Sequence, residues 1–172
     1  MLVNSGTTQL RSLMLSMLLV LVCATSSMAE AHDEAGRGDT EKDLAKYTEL
    51  IRLDPKNAGH YLNRGHVWNR QGEDQKAIAD YSEAIRLEPE NAAAYSYRGG
   101  EWNDLGAHEK AIADFNDAIR LDPNDATAFR IRGFLWKDKG DYEKALSDFG
   151  DGIRLAPNDH AALSSFAWFL AT

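Results

Sequence analysis

The sequence predicts an all-α fold built from stacked helix pairs, and three observations carry that prediction. The first is a fixed period. Pro55, Pro89, Pro123 and Pro157 stand 34 residues apart, each just after an isoleucine-arginine-leucine run such as Ile85-Arg86-Leu87. Trp68, Trp102 and Trp136 keep the same step, as do Gly65, Gly99 and Gly133. Self-similarity at a fixed period signals a repeat architecture and outranks local assignments. The second observation is apolar spacing at three- and four-residue steps within each unit, the mark of a helix face. The third is punctuation. Gly72, Gly106 and Gly140, with Gly38 at the same phase, can adopt the left-handed conformation that ends a helix. The prolines lack an amide hydrogen and push the residue before them out of helical geometry, so they end the second helix of each pair.

Residues 1–29 stand outside this pattern. Arg11 supplies a positive charge, and residues 13–22 form an apolar run of signal-peptide length. That run falls short of the roughly 20 apolar residues of a membrane span. Small residues then offer cleavage before Glu30 or before His32. The segment reads as a signal peptide directing export, periplasmic or secreted, with an uncleaved membrane anchor as the alternative. The single cysteine, Cys23, follows Val22 rather than a small residue, which argues against lipidation. The processed chain would have no cysteine and no membrane span, and would carry 18 basic against 27 acidic residues. Such a fold owes nothing to disulfides. The full chain's net charge of −8 repels nucleic-acid phosphate, so no nucleic-acid partner is expected, whereas a basic partner segment fits.

Residues 30–38 are polar, without apolar periodicity, and read as a flexible leader. Asp39 or Thr40 can cap a helix in which Leu44, Tyr47, Leu50 and Ile51 form one apolar stripe. Residues 39–57 therefore form an N-terminal capping half-repeat. Full units follow at 58–91, 92–125 and 126–159, and 160–172 is the first helix of a fourth, incomplete one. In the first unit the helices are expected at 58–71 and 73–88, turning at Gly72. Asn57, Asn91, Asp125 and Asp159, each two residues after a proline, can cap the helices that follow.

These residues carry a family resemblance. Tyr61-x-x-Arg64-Gly65-x-x-Trp68, then Ala77-x-x-x-Tyr81, then Pro89 resembles the tetratricopeptide repeat. The later copies give Tyr95, Arg98, Gly99, Trp102, Ala111, Phe115, Pro123 and Phe129, Arg132, Gly133, Trp136, Ala145, Phe149, Pro157. The resemblance implies an α-α superhelix, a right-handed solenoid of antiparallel helix pairs, here three full 34-residue repeats with half repeats at both ends. It also implies that Gly65 and Ala77, and their counterparts, mark the closest approach of paired helices. One departure is systematic: arginine occupies the position where the family usually has leucine. Two readings fit Arg64, Arg98 and Arg132. The preferred one packs the stem while the head reaches water; the other pairs each with a helix acid such as Asp80, Asp114 or Asp148.

Function is expected where the copies disagree. By resemblance, first helices line a concave groove that receives a peptide or partner segment. The variable stripe there comprises Leu62, Asn63, His66, Asn69 and Arg70, then Ser96, Tyr97, Gly100, Asn103 and Asp104, then Arg130, Ile131, Phe134, Lys137 and Asp138; all but Gly100, Asp104 and Asp138 are taken as candidate partner-binding residues. Exposed Leu62, Tyr97, Ile131 and Phe134 would be unusual on an idle surface. Some family members grip a terminal carboxylate with basic and amide side chains; the matching phases here, Leu62, His66, Tyr97, Thr127 and Ile131, carry none. In the last segment Leu163, Phe166, Ala167 and Leu170 fall on the inward phase, Trp168 on the groove phase, and Phe169 has no assigned shelter. Phe166, Trp168 and Phe169 are thus a candidate association end. That end either continues into further units, pairs with a partner or another copy, or folds back.

No catalytic constellation stands out. His32, His60, His66, His108 and His160 show no ligand spacing, and Ile112 occupies the place of a second histidine after His108-Glu109. No phosphate loop follows a strand pattern, and no metal or cofactor is implied. The expected function is a protein-binding scaffold rather than an enzyme. The alternative is a structural, self-associating module or spacer in an envelope complex.

Overall fold

A computed structural model describes residues 40–158 and 160–171, the last helix without the side chains of 161, 162, 165 and 169–171. The expectations for the signal segment, the leader, Cys23, the caps Asp39 and Asp159, and the side chains of Phe169 and Leu170 lie outside the described residues. The chain divides into two compact units, Met1–Asp43 and Leu44–Thr172. Every described element of the second is a helix: α1 (residues 40–53, which enters it at Leu44), α2 (Ala58–Arg70), α3 (Asp74–Leu87), α4 (Ala92–Asp104), α5 (His108–Leu121), α6 (Ala126–Asp138), α7 (Tyr142–Leu155) and α8 (His160–Ala171). It is an all-α superhelix of adjacent helix pairs.

Local chemistry explains the boundaries. Asn57, Asn91 and Asp125 each accept a hydrogen bond from a first-turn amide, those of Gly59, Ala94 and Ala128, which completes the N-termini of α2, α4 and α6. At the far ends of these helices Gly72, Gly106 and Gly140 adopt φ of 70°, 69° and 78°. Each glycine amide donates three residues back, and the following amide five back, as in Glu73 to the Trp68 carbonyl (3.0 Å). This double bond pattern closes the helix and turns the chain, and a side chain at positive φ would strain it.

Each first helix packs on its own second helix, and α3 on α4, α5 on α6 and α7 on α8 join successive units. Small residues set the distance. A Cβ on Gly65 would lie 2.5 Å from Tyr81 Cε1, and one on Gly133 would lie 2.9 Å from Phe149 Cε1. Tyr81, Phe115 and Phe149 are fully buried in these approaches. The core between the second and third units joins Ala111, Ile112, Phe115 and Ala118 to Ala128 and Leu135, with Trp102 and Trp136 packed against it. The tryptophans remain half-buried, and Lys76, Lys110 and Lys144 place their ammonium groups 4.1–4.4 Å from the ring centroids. In α1, Leu44, Tyr47, Leu50 and Ile51 are the half-buried stripe the spacing predicts.

The conserved-phase arginines depart from the preferred reading. Arg64, Arg98 and Arg132 form two-pronged ion pairs with Asp80, Asp114 and Asp148, all at 2.6–2.8 Å. The aspartates are buried on the second helix, where a charge must be paired, and a planar guanidinium satisfies both oxygens at once. The third nitrogen reaches back to the preceding unit: Arg98 Nη1 donates to Ser82 Oγ (3.0 Å) and Arg132 Nη1 to Asn116 Oδ1 (2.7 Å). One side chain thus ties three helices together. The arginines before the prolines differ. Arg52, Arg86, Arg120 and Arg154 pair with acids three residues earlier while largely exposed, an arrangement that contributes little.

The terminal helix also departs from expectation. Phe166 is half-buried, but Leu163 (38% exposed) and Ala167 on the same predicted phase are exposed. The physical reason is that α8 packs chiefly on α7, so its apolar stripe is only partly covered.

Candidate partner-binding groove

The first helices converge on an open groove of about 490 Å³. His66 and Asn69 come from α2, Ala93, Ser96, Tyr97, Gly100, Glu101 and Asp104 from α4, and Asp125, Thr127 and Ile131 from the start of α6. Seven residues of the predicted stripe therefore meet: His66, Asn69, Ser96, Tyr97, Gly100, Asp104 and Ile131. The groove also gathers four of the five phases at which some family members grip a carboxylate. Here its walls carry three acids and no lysine or arginine.

The other predicted residues lie elsewhere. Leu62 is half-buried against Ala58, Ala84 and Ala94. Asn63 and Arg70 are exposed on α2, and Arg130 is half-buried on α6. Asn103 donates to Asp104 Oδ1 (3.3 Å). Phe134 lies edge-on to Phe149 with centroids 5.0 Å apart. Lys137 sets its ammonium 5.8 Å from the Phe134 ring and 5.4 Å from the Trp168 ring, and Trp168 is 49% exposed. The expectation that Leu62, Ile131 and Phe134 are exposed is corrected: all three are half-buried, Leu62 and Ile131 in clusters that join adjacent units and Phe134 against Phe149 of its own unit, and Tyr97 alone of the four is exposed.

An aromatic cluster floors one side. His66 meets Tyr97 edge-on at 4.2 Å between centroids, and its Nδ1 pairs with the Tyr81 hydroxyl at 3.2 Å. Burial, with the nearby Arg70 charge, holds His66 below its ordinary pKa, so the ring is neutral at pH 7. Burial also pushes the Tyr81 phenol up, reinforced by the Glu101 carboxylate. Asp125 is already committed, accepting from Ser96 Oγ (2.9 Å) while capping α6.

Glu101 is the residue sequence reasoning missed. It is 3% exposed, its Oε1 accepts from Asn69 Nδ2 (2.6 Å), and its Oε2 is buried without a hydrogen-bond partner. A signal existed: at the same register the other units have Val67 and Leu135, also buried. Burial raises the Glu101 pKa, the Asn69 bond opposes that, and Asp74 and Asp104 raise it further. A carboxyl whose folded pKa exceeds its unfolded one favours folding while protonated, and loses that contribution as pH rises through the raised value. Glu101→Gln should therefore gain stability relative to the parent between about pH 4 and pH 7. Urea unfolding at both pH values checks this, and a pH-independent difference would show that the carboxyl is not destabilised by burial.

Among the described residues, no group of three or more His, Cys, Asp or Glu could hold a metal ion. None of their helices is long and apolar enough to cross a membrane.

Helix pairs stacked at one period, with a groove walled by first helices, define an α-helical repeat protein of the interaction-scaffold class. The chain belongs to the tetratricopeptide repeat family: a "TPR repeat" model matches residues 69–100 and a "Tetratricopeptide repeat" model matches 104–160. No curated protein sequence matches it. Among solved structures it is similar to MamA (23% identity, 78% of each chain covered, TM-score 0.71). It is also similar to the first TPR of Spaghetti (RPAP3) bound to the HSP90 peptide SRMEEVD (24%, 69% of this chain and 97% of that one, TM-score 0.65). A tetratricopeptide repeat protein from Parabacteroides merdae aligns at 25% identity over 77% of this chain and 53% of that one, with a TM-score of 0.67. The family fold is typically a non-enzymatic module that binds proteins or peptides.

Proposed function

We propose that this protein holds a peptide or an extended segment of a partner protein in the groove between α2, α4 and α6. The convergence of the variable first-helix residues on one open hollow, with Tyr97 exposed at its wall, supports this reading. A rigid aromatic beside polar groups is the usual composition of a binding hot spot. Self-association through α8 is a second reading, favoured by the exposure of Leu163 and Trp168.

One experiment separates the two. A photo-crosslinking phenylalanine analogue is placed at Tyr97, at Trp168, or at the exposed Glu143 on a second helix. In native cells the Tyr97 variant is expected to form adducts with a different polypeptide, and the Glu143 variant none. Adducts only between copies, through Trp168, would support self-assembly instead. Equal labelling at Tyr97 and Glu143 would sink the groove reading.

A further inference from the structure

We propose that the Glu101 carboxylate anchors a cationic side chain, an arginine guanidinium or a lysine ammonium, of the peptide that enters the groove. This deepens the groove reading and rests on it.

Three observations converge. Glu101 replaces an apolar residue: Val67 and Leu135 fill the equivalent positions at 2% and 1% exposure, so the site itself asks for a hydrophobe. The second carboxylate oxygen has no partner, although a buried charge left unpaired is among the costlier features a fold can carry. The groove that Glu101 lines adds Asp104 and no lysine or arginine, so nothing in its walls neutralises the charge. The nearest arginine along α4, Arg98, is committed to Asp114 and Ser82.

The geometry favours an organic cation over a metal. Asp125 has both oxygens engaged, and no cluster of three ligating side chains exists among the described residues. A guanidinium or ammonium needs only the free oxygen of Glu101 and Asp104 one turn further along α4, and its hydrocarbon stem can lie on the exposed Tyr97 ring. The exposed Asn69 side chain, which donates to Oε1, is the group that would have to turn aside for a cation to reach the carboxylate. Arginine or lysine then supplies the hydrogen bonds that Oε2 lacks.

The test is selection of a displayed random dodecapeptide library on the full chain, on Tyr97→Ala and on Glu101→Gln. Expected are peptides with arginine or lysine at one fixed position, whose affinity falls at least about tenfold with Glu101→Gln. The same peptides should lose binding with Tyr97→Ala. Peptides that need Tyr97 but show no basic position, or bind Glu101→Gln as tightly, would overturn the anchor and leave the groove standing. Recovery of no peptide that depends on Tyr97 would overturn both. Should Glu101→Gln fail to fold, the exposed Asp104→Asn takes its place, with a threefold or greater loss expected for basic peptides and none for citrulline analogues; equal binding of the two peptide forms would again overturn the anchor.

Discussion

Phe115→Ala is expected to destabilise the fold by about 3–5 kcal/mol, the range for removing a fully buried aromatic. Phe115 has no exposed surface and belongs to the cluster that joins the second and third units. Its ring also fills the space beside Gly99, where an added Cβ would sit 3.2 Å from it. Deleting the ring therefore removes transfer energy and leaves a hole that the helices, already at close approach, can narrow only by sliding. In a linear stack stability is a sum over units and their interfaces, so a central loss weakens coupling on both sides. Because whole domains are stable by only about 5–15 kcal/mol, the variant should lose most of its margin. Urea unfolding followed by tryptophan fluorescence checks this, and Trp68 and Trp136 report on the flanking units. A loss below about 1 kcal/mol, with a single unchanged transition, would mean that the units do not share this core.

Much of that architecture was legible in the sequence, because a period repeats every local signal. Glycine at 72, 106 and 140 announced positive φ, and Asn57, Asn91 and Asp125 announced caps; short-range chemistry decides both. Exposure was less legible. Leu62 and Ile131 lie on the variable stripe, yet their burial depends on how closely an adjacent unit packs against them, which helix phase does not encode. The arginine pairs were visible only as an alternative, since 16 residues separate Arg64 from Asp80 and the period says nothing about which helix faces which. Glu101 escaped for a different reason. Attention to surface positions hides a polar residue placed where its sister units bury valine and leucine. Comparing the copies at buried positions, rather than only at exposed ones, would have found it.

The arginine pairs yield the second large effect. Asp114→Ala should cost about 3 kcal/mol, because it strands the Arg98 guanidinium in a site shaped for a carboxylate. We take the lower end of the range for a broken buried pair, since the Arg98 side chain keeps 22% of its surface while Asp114 keeps 7%. Arg98→Leu should cost a similar amount by leaving Asp114 without its cation. The informative variant is the double one. Arg98→Leu with Asp114→Leu removes both charges and fills the space with hydrocarbon, a replacement that is often neutral or stabilising. The sum of the single losses should therefore exceed the double loss by at least about 2 kcal/mol, a coupling measured by a double-mutant cycle in urea. Additive losses would return the arginine to the role of a packed stem with a hydrated head. A double variant that is stable but whose first unit unfolds separately would locate the value of Arg98 elsewhere, in the link to Ser82 of the preceding unit. That link recurs in Arg132 with Asn116, so the same cycle there distinguishes a property of one site from a property of the repeat.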